Sequence, residues 1–293
     1  MKFSVCTALV LATMVVCAGA ASAKPKAHAP LPVTPGTRYL ALGDSVTFGY
    51  MEPTVVPAPN YHDQASFLGY PELLGSELRL KVANAACSGE TSSSLVNASA
   101  QSNGCENTPG NKAPGYRTQF PLHVNYKGSQ LAFALSYLKA HKDVTLVSLM
   151  IGANDFFVCQ ETTSDGCGAA EQAAVARTVT ANVHQILGSI RTKAHYKGQI
   201  AIVNYYSLDY SSAAINAQSQ LLNKVQDAAA KPYHVEIADG YGQVEKGAAH
   251  FGGSTCGAGL ITQLNSTPGS CGIHPSYAGQ SLLAQALENA IKL

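Results

Sequence analysis

Residues 143–152 read DVTLVSLMIG, an almost unbroken apolar run opened by an acid and closed by a glycine. A run of strand length without polar alternation marks a strand buried on both faces, the kind used by parallel sheets. Residues 38–43, RYLALG, repeat the pattern. Each run ends on a glycine that leads into a polar cluster, Gly43-Asp44-Ser45 after one and Gly152-Ala153-Asn154-Asp155 after the other. Outward from these two, further strands are predicted at 81–86, 199–205 and 234–238, with helices at 71–80, 129–141, 168–193 and 211–230. Near the C-terminus Leu282, Leu283, Ala286, Leu287, Ala290 and Ile291 fall on one face of a helix. This alternation predicts an α/β fold, a single-domain three-layer α/β/α sandwich with a mostly parallel sheet. Reactive groups in such folds gather beyond the carboxyl ends of the strands, where both polar clusters lie.

The chain has 293 residues, 46% hydrophobic and 13% charged, with 19 Lys and Arg against 18 Asp and Glu. That is ample apolar material for a core, and the absence of a basic excess argues against a nucleic-acid partner. Residues 1–23 join a basic tip at Lys2 to an apolar run and to Ala21-Ser22-Ala23, the pattern of a cleaved signal peptide. The apolar run is shorter than the ~20 residues of a stable membrane span, so a secreted protein, extracellular or periplasmic, is expected. Residues 24–37, rich in Pro and Ala, read as a flexible leader, and 38–293 as the folded domain.

Cys6 and Cys17 belong to the signal, and the six cysteines that remain imply disulfides in an exported chain. Fifteen pairings are open in principle. The cysteines fall into three local pairs, Cys87–Cys105, Cys159–Cys167 and Cys256–Cys271. No Cys-x-x-Cys knuckle or His cluster asks for a metal, and no cofactor is expected.

Gly43-Asp44-Ser45 alone is ordinary turn or cap chemistry. Its meaning comes from its company: Val46-Thr47-Phe48-Gly49 continues it, residues 84–91 read NAACSGET, Gly152-Ala153-Asn154-Asp155 follows, and His274-Pro275 stands near the C-terminus. With these four blocks in order, the chain resembles the GDSL esterase/lipase family, also called SGNH hydrolases, from Tyr39 to Leu293. The resemblance implies a flavodoxin-like sheet and a carboxylic ester hydrolase with Ser45 as nucleophile and His274 as general base. It further implies an oxyanion hole made by the Ser45 and Gly89 amides and the Asn154 side chain. Each role has a physical reason. A serine hydroxyl needs an imidazole to take its proton as it attacks, and the carbonyl that becomes an oxyanion needs fixed neutral donors.

The sequence departs from the family pattern at one position. Where the family has Asp three residues before the histidine, this chain has Cys271. The expectation is therefore a Ser-His dyad in which the Cys271 main-chain carbonyl, held by a disulfide to Cys256, orients the imidazole. Asp239 and Asp209 are runner-up orienters, better explained as loop or cap carboxylates, and Asp44 reads as a structural tie of its turn. The aromatic and aliphatic residues between Phe48 and Tyr70 are candidates for an acyl groove, although ordinary loop packing also accounts for them. Export, disulfides and neutral charge suit a monomeric lipase, esterase or phospholipase acting on small-molecule or lipid esters. The alternatives are a carbohydrate acetyl esterase and a non-catalytic exported binding protein on the same fold.

Overall fold

The computed structural model describes residues 30–265, 267 and 269–293; the expected signal peptide and residues 24–29 of the leader lie outside them. Five strands, β1 (Arg38–Gly43), β2 (Lys81–Asn84), β3 (Val144–Met150), β4 (Gln199–Val203) and β5 (Glu236–Ala238), form one parallel sheet in the order β2-β1-β3-β4-β5. Two further strands, β6 (Ile261–Gln263) and β7 (Cys271–Pro275), make a separate antiparallel ribbon.

Among the described residues there are ten α-helices: α1 (Ser45–Phe48), α2 (Tyr70–Glu77), α3 (Ser92–Val96), α4 (Tyr116–Gln119), α5 (Gln130–Ala140), α6 (Ala153–Thr162), α7 (Ala169–Thr192), α8 (Ala213–Ala230), α9 (Gly240–Ala248) and α10 (Tyr277–Ala290). α10 packs with α2 and α9 over one part of the sheet, while α3, α5, α7 and α8 pack with one another. This is the α/β sandwich expected from the alternating runs.

All seven residues of β3 are buried, as its unbroken apolar sequence requires of a central strand. Its two polar side chains are both satisfied, Ser148 by the Tyr39 hydroxyl at 2.6 Å and Thr145 by the Thr37 hydroxyl at 2.8 Å. The strand order reverses direction between β1 and β3. Chains leaving these neighbours turn to opposite faces and open a crevice at the carboxyl edge. α1 starts directly after β1 and α6 shortly after β3, so both polar clusters stand at this switch point.

The leader differs from the expectation where it is described. Val33 is buried, its N–H donates to the Lys292 carbonyl at 2.8 Å, and the Leu31 carbonyl accepts from Gln199 Nε2 at 3.0 Å. An apolar side chain and backbone partners fix residues 31–37 to the body, and composition alone does not show such contacts. Disulfides join Cys87 to Cys105, Cys159 to Cys167 and Cys256 to Cys271. Among the described residues no helix is long and apolar enough to cross a membrane.

Candidate active site

Ser45 is the first residue of α1, whose N-cap Asp44 accepts the Val46 N–H at 3.0 Å. Gln130 holds the turn from both sides, accepting from Gly43 N at 2.8 Å and donating to Gly43 O at 2.9 Å. The Asp44 carboxyl also receives the Tyr205 hydroxyl. Burial pushes this carboxyl up to about 6 even though both donors pull the other way. Asp44 is thus a tie within the Ser45 turn, as its position beside Ser45 suggested.

The Ser45 hydroxyl lies 3.0 Å from His274 Nε2, although 229 positions separate the two residues. Nδ1 of the same ring is 2.8 Å from Glu52 Oε1. Hydroxyl, imidazole and carboxylate therefore form one hydrogen-bonded line. The Tyr50 ring meets the imidazole edge-on at 4.8 Å between centroids, and the Tyr206 hydroxyl donates to the Ile273 carbonyl beside it.

The expected orienter, the Cys271 carbonyl, is not the group at Nδ1. Cys271 pairs with Gln263 across the β6–β7 ribbon and is covalently tied to Cys256. Glu52 reaches the histidine because residues 54–55 run beside the ribbon: Val55 bridges to Leu264, and Asn265 N donates to Thr54 O at 2.7 Å. Its Oε1 accepts the Ile273 N–H at 2.9 Å and its Oε2 accepts the Thr262 hydroxyl at 2.6 Å. At position 272 only glycine admits the carboxylate, since a Cβ there would come within 2.1 Å of Oε1. Burial would raise the Glu52 carboxyl, but the His274 ring, Thr262 and Ile273 outweigh it and hold it down to about 2. Glu52 is ionised at any pH at which an imidazole can act as a base.

The only sequence signal for Glu52 is weak: it is an acid in the loop soon after Ser45. Asp239 instead caps α9 through Gly242 N at 2.8 Å, and Asp209 binds Ser211 at its own turn.

Asn154, the second residue of α6, is buried, and its Oδ1 accepts from Asn103 Nδ2 at 2.9 Å. Its neighbour Asp155 accepts the Ser92 N–H at 2.8 Å and the Ser92 hydroxyl at 2.6 Å, which ties α6 to α3. Gly89 sits at φ +80°, and its carbonyl accepts from Asn103 N at 2.7 Å. Neither the Ser45 N–H nor the Gly89 N–H donates to a protein acceptor among the described residues.

Ser45, Asn154 and His274 line one cavity of about 170 Å³; Gly89 does not line it. The cavity wall is mainly apolar, built by Phe156 and Phe157 of α6, Leu208 of the loop after β4, and Ile215, Leu221 and Leu222 of α8. The segment from Phe48 to Tyr70, a candidate for an acyl groove or for ordinary loop packing, does not border this cavity. Phe48 and Phe67 are fully buried and pack with Tyr116 and Leu122 in a second small core. These side chains satisfy one another instead of facing solvent. The line of groups at Ser45, opening on an apolar cavity, can transfer an acyl group from an alcohol to water.

Residues 41–282 match the model of the GDSL-like Lipase/Acylhydrolase family. No curated protein matches the chain. Among solved structures, the acetylxylan esterase Axe2 from Geobacillus stearothermophilus is 17% identical with a TM-score of 0.54, the match covering 90% of this chain and 97% of that one. Phospholipase A1 from Streptomyces albidoflavus NA297 is 20% identical with a TM-score of 0.51, covering 87% and 99%. The lipase Lip_vut3 from a goat rumen metagenome is 17% identical with a TM-score of 0.53, covering 87% and 97%. At these identities the likeness is one of fold.

Proposed function

The chain belongs to the GDSL-like lipase/acylhydrolase family, and from that premise we propose that it is an exported carboxylic ester hydrolase. Ser45 is the nucleophile, His274 the general base and Glu52 the acid that orients it. The observation that carries this reading is the unbroken line from Ser45 Oγ through the His274 ring to Glu52, with steps of 3.0 and 2.8 Å.

The Glu52 carboxylate accepts the Nδ1 proton and so leaves the Nε2 lone pair facing the serine. As Oγ attacks the ester carbon, its proton moves to Nε2 and the carbonyl electron pair moves to oxygen. The Ser45 and Gly89 N–H groups and the Asn154 amide are the donors for that oxyanion; losing one such donor typically costs roughly 10² to 10³ in rate. Collapse expels the alcohol, which takes the proton from Nε2, and water repeats the sequence on the acyl-enzyme.

The apolar wall formed by α6 and α8 supports a substrate with a hydrocarbon acyl chain, a lipid or related ester, in preference to an acetylated sugar. The three disulfides suit an oxidising compartment, in line with export.

The test is labelling with a fluorophosphonate, which phosphonylates an activated serine, of wild type beside Ser45→Ala, with turnover of p-nitrophenyl butyrate measured on both. Labelling and turnover are expected in wild type alone. Retention of turnover by Ser45→Ala defeats the reading.

A further inference from the structure

Asn103 lies outside every motif block, yet it touches two of the three groups proposed to receive the oxyanion. Its side-chain Nδ2 donates to Asn154 Oδ1 at 2.9 Å, and its main-chain N–H donates to the Gly89 carbonyl at 2.7 Å. The approach to Gly89 is close enough that a Cβ there would meet the Asn103 carbonyl oxygen at 2.5 Å. From this geometry we infer that Asn103 is a positioning residue for the oxyanion hole, fixing which end of the Asn154 amide meets the substrate while anchoring the Gly89 turn.

The chemistry follows from the two ends of a primary amide. One is an acceptor and the other a donor, and a half-turn about the terminal torsion exchanges them. Facing a developing oxyanion, Nδ2 stabilises the charge and Oδ1 repels it. Ser45 and His274 do not fix this choice; the bond from Asn103 does, because it occupies Oδ1 and leaves Nδ2 as the end available to the cavity. Donors oriented before the reaction need no reorganisation during it, which is the source of their catalytic effect.

The loop that carries Asn103 is built to hold such a group still. Cys87, two residues before Gly89, is bonded to Cys105, two residues after Asn103. Both cysteines are fully buried. Ser102, also fully buried, accepts the Glu106 and Asn107 N–H groups at 3.1 and 3.0 Å, and Tyr116 N donates to Gly104 O at 2.6 Å. The disulfide loop thus joins the second and third motif blocks through one asparagine.

The inference rests on the hydrolase reading, and two variants of near-identical size test it separately. Asn103→Leu removes the donor and leaves the Asn154 amide free to turn. Asn103→Asp offers an acceptor, so it draws Nδ2 toward itself and points Oδ1 at the oxyanion. On p-nitrophenyl butyrate near pH 8, kcat of Asn103→Asp is expected to fall by roughly 10² or more, with KM within about threefold of wild type. Asn103→Leu should lose less than Asn103→Asp.

A protonated aspartic acid can donate again, so the ratio of Asn103→Asp to wild-type kcat should rise at least about threefold between about pH 8 and 5. The neighbouring acids Glu90, Glu106 and Asp155 are present in both proteins and cancel in that ratio. If Asn103→Asp keeps kcat within about threefold of wild type, the inference is wrong. It is equally wrong if both variants lose activity alike at every pH, in step with a lowered unfolding temperature. Failure of the hydrolase reading shows up separately, as turnover by Ser45→Ala in the same assay.

Discussion

Replacing Glu52 separates two contributions that a single carboxylate makes to His274. In Glu52→Gln the side-chain carbonyl remains the better fit at the Oε1 position, which faces the Ile273 N–H and the His274 Nδ1–H. The new NH₂ then takes the Oε2 position beside the Thr262 hydroxyl, which can rotate to accept. Orientation and tautomer survive, and only the charge is lost. With charge centres about 4 Å apart, attraction between the carboxylate and the imidazolium formed during attack is about 4 kcal/mol at an effective dielectric constant of 20 and about 1 kcal/mol in water. Since about 1.4 kcal/mol is a tenfold change in rate, kcat of Glu52→Gln is expected to fall by roughly five- to a thousandfold. Glu52→Ala loses the orientation as well, and a wrong tautomer in a comparable triad costs about 10⁴. Both effects belong in kcat, with KM nearly unchanged, measured on a soluble p-nitrophenyl ester with near-ultraviolet circular dichroism as the folding control. If Glu52→Gln and Glu52→Ala both stay within about threefold of wild type while remaining folded, the reasoning from the His274–Glu52 bond is refuted.

Two further outcomes can be measured on the same material. Glu52 titrates near 4.5 when exposed and at about 2 in the folded chain, so its stabilisation is fully present above about 4.5 and disappears as pH falls through about 2. The difference in urea midpoint between wild type and Glu52→Gln should therefore be constant near neutrality and shrink in that acid window; a difference independent of pH would contradict the depressed carboxyl. The buried carboxyls of Asp44 and Asp155, raised to about 6, and of Glu72, raised to about 7, act with the opposite sign, and they are present in both proteins. Ile215→Trp fills the cavity from α8 and should lower kcat/KM for a p-nitrophenyl octanoate at least about tenfold more than for the acetate, because each buried methylene is worth about 0.8 kcal/mol. An unchanged chain-length profile would remove the acyl chain from this cavity.

Much of the fold is legible because parallel strands buried on both faces leave long apolar runs. The strands read at 38–43 and 143–152 correspond to β1 and β3, and the long helices expected at 168–193 and 211–230 correspond to α7 and α8. The short helices α1, α3 and α4 and the β6–β7 ribbon have no such signature. Each is too brief to show a period; side-chain caps at Asp44 and Thr91 start α1 and α3, and tertiary contacts fix the rest. The same division runs through the site. Ser45 and Asn154 follow strand ends and can be found there. Glu52 and Asn103 sit in loops, where nothing local distinguishes a functional amide or acid from a solvated one.

The sequence by itself determined the layered α/β architecture, the motif blocks and the residue types able to attack, to abstract a proton and to stabilise an oxyanion, because these follow from hydrophobic pattern and intrinsic chemistry. Only the tertiary structure decided that a glutamate 222 positions from the histidine orients it, that α6 and α8 wall the cavity, and that a disulfide loop holds the Asn154 amide. Those are relations between distant segments. A hydrogen bond depends on a distance of about 3 Å, and chain spacing carries no information about it until the backbone is folded.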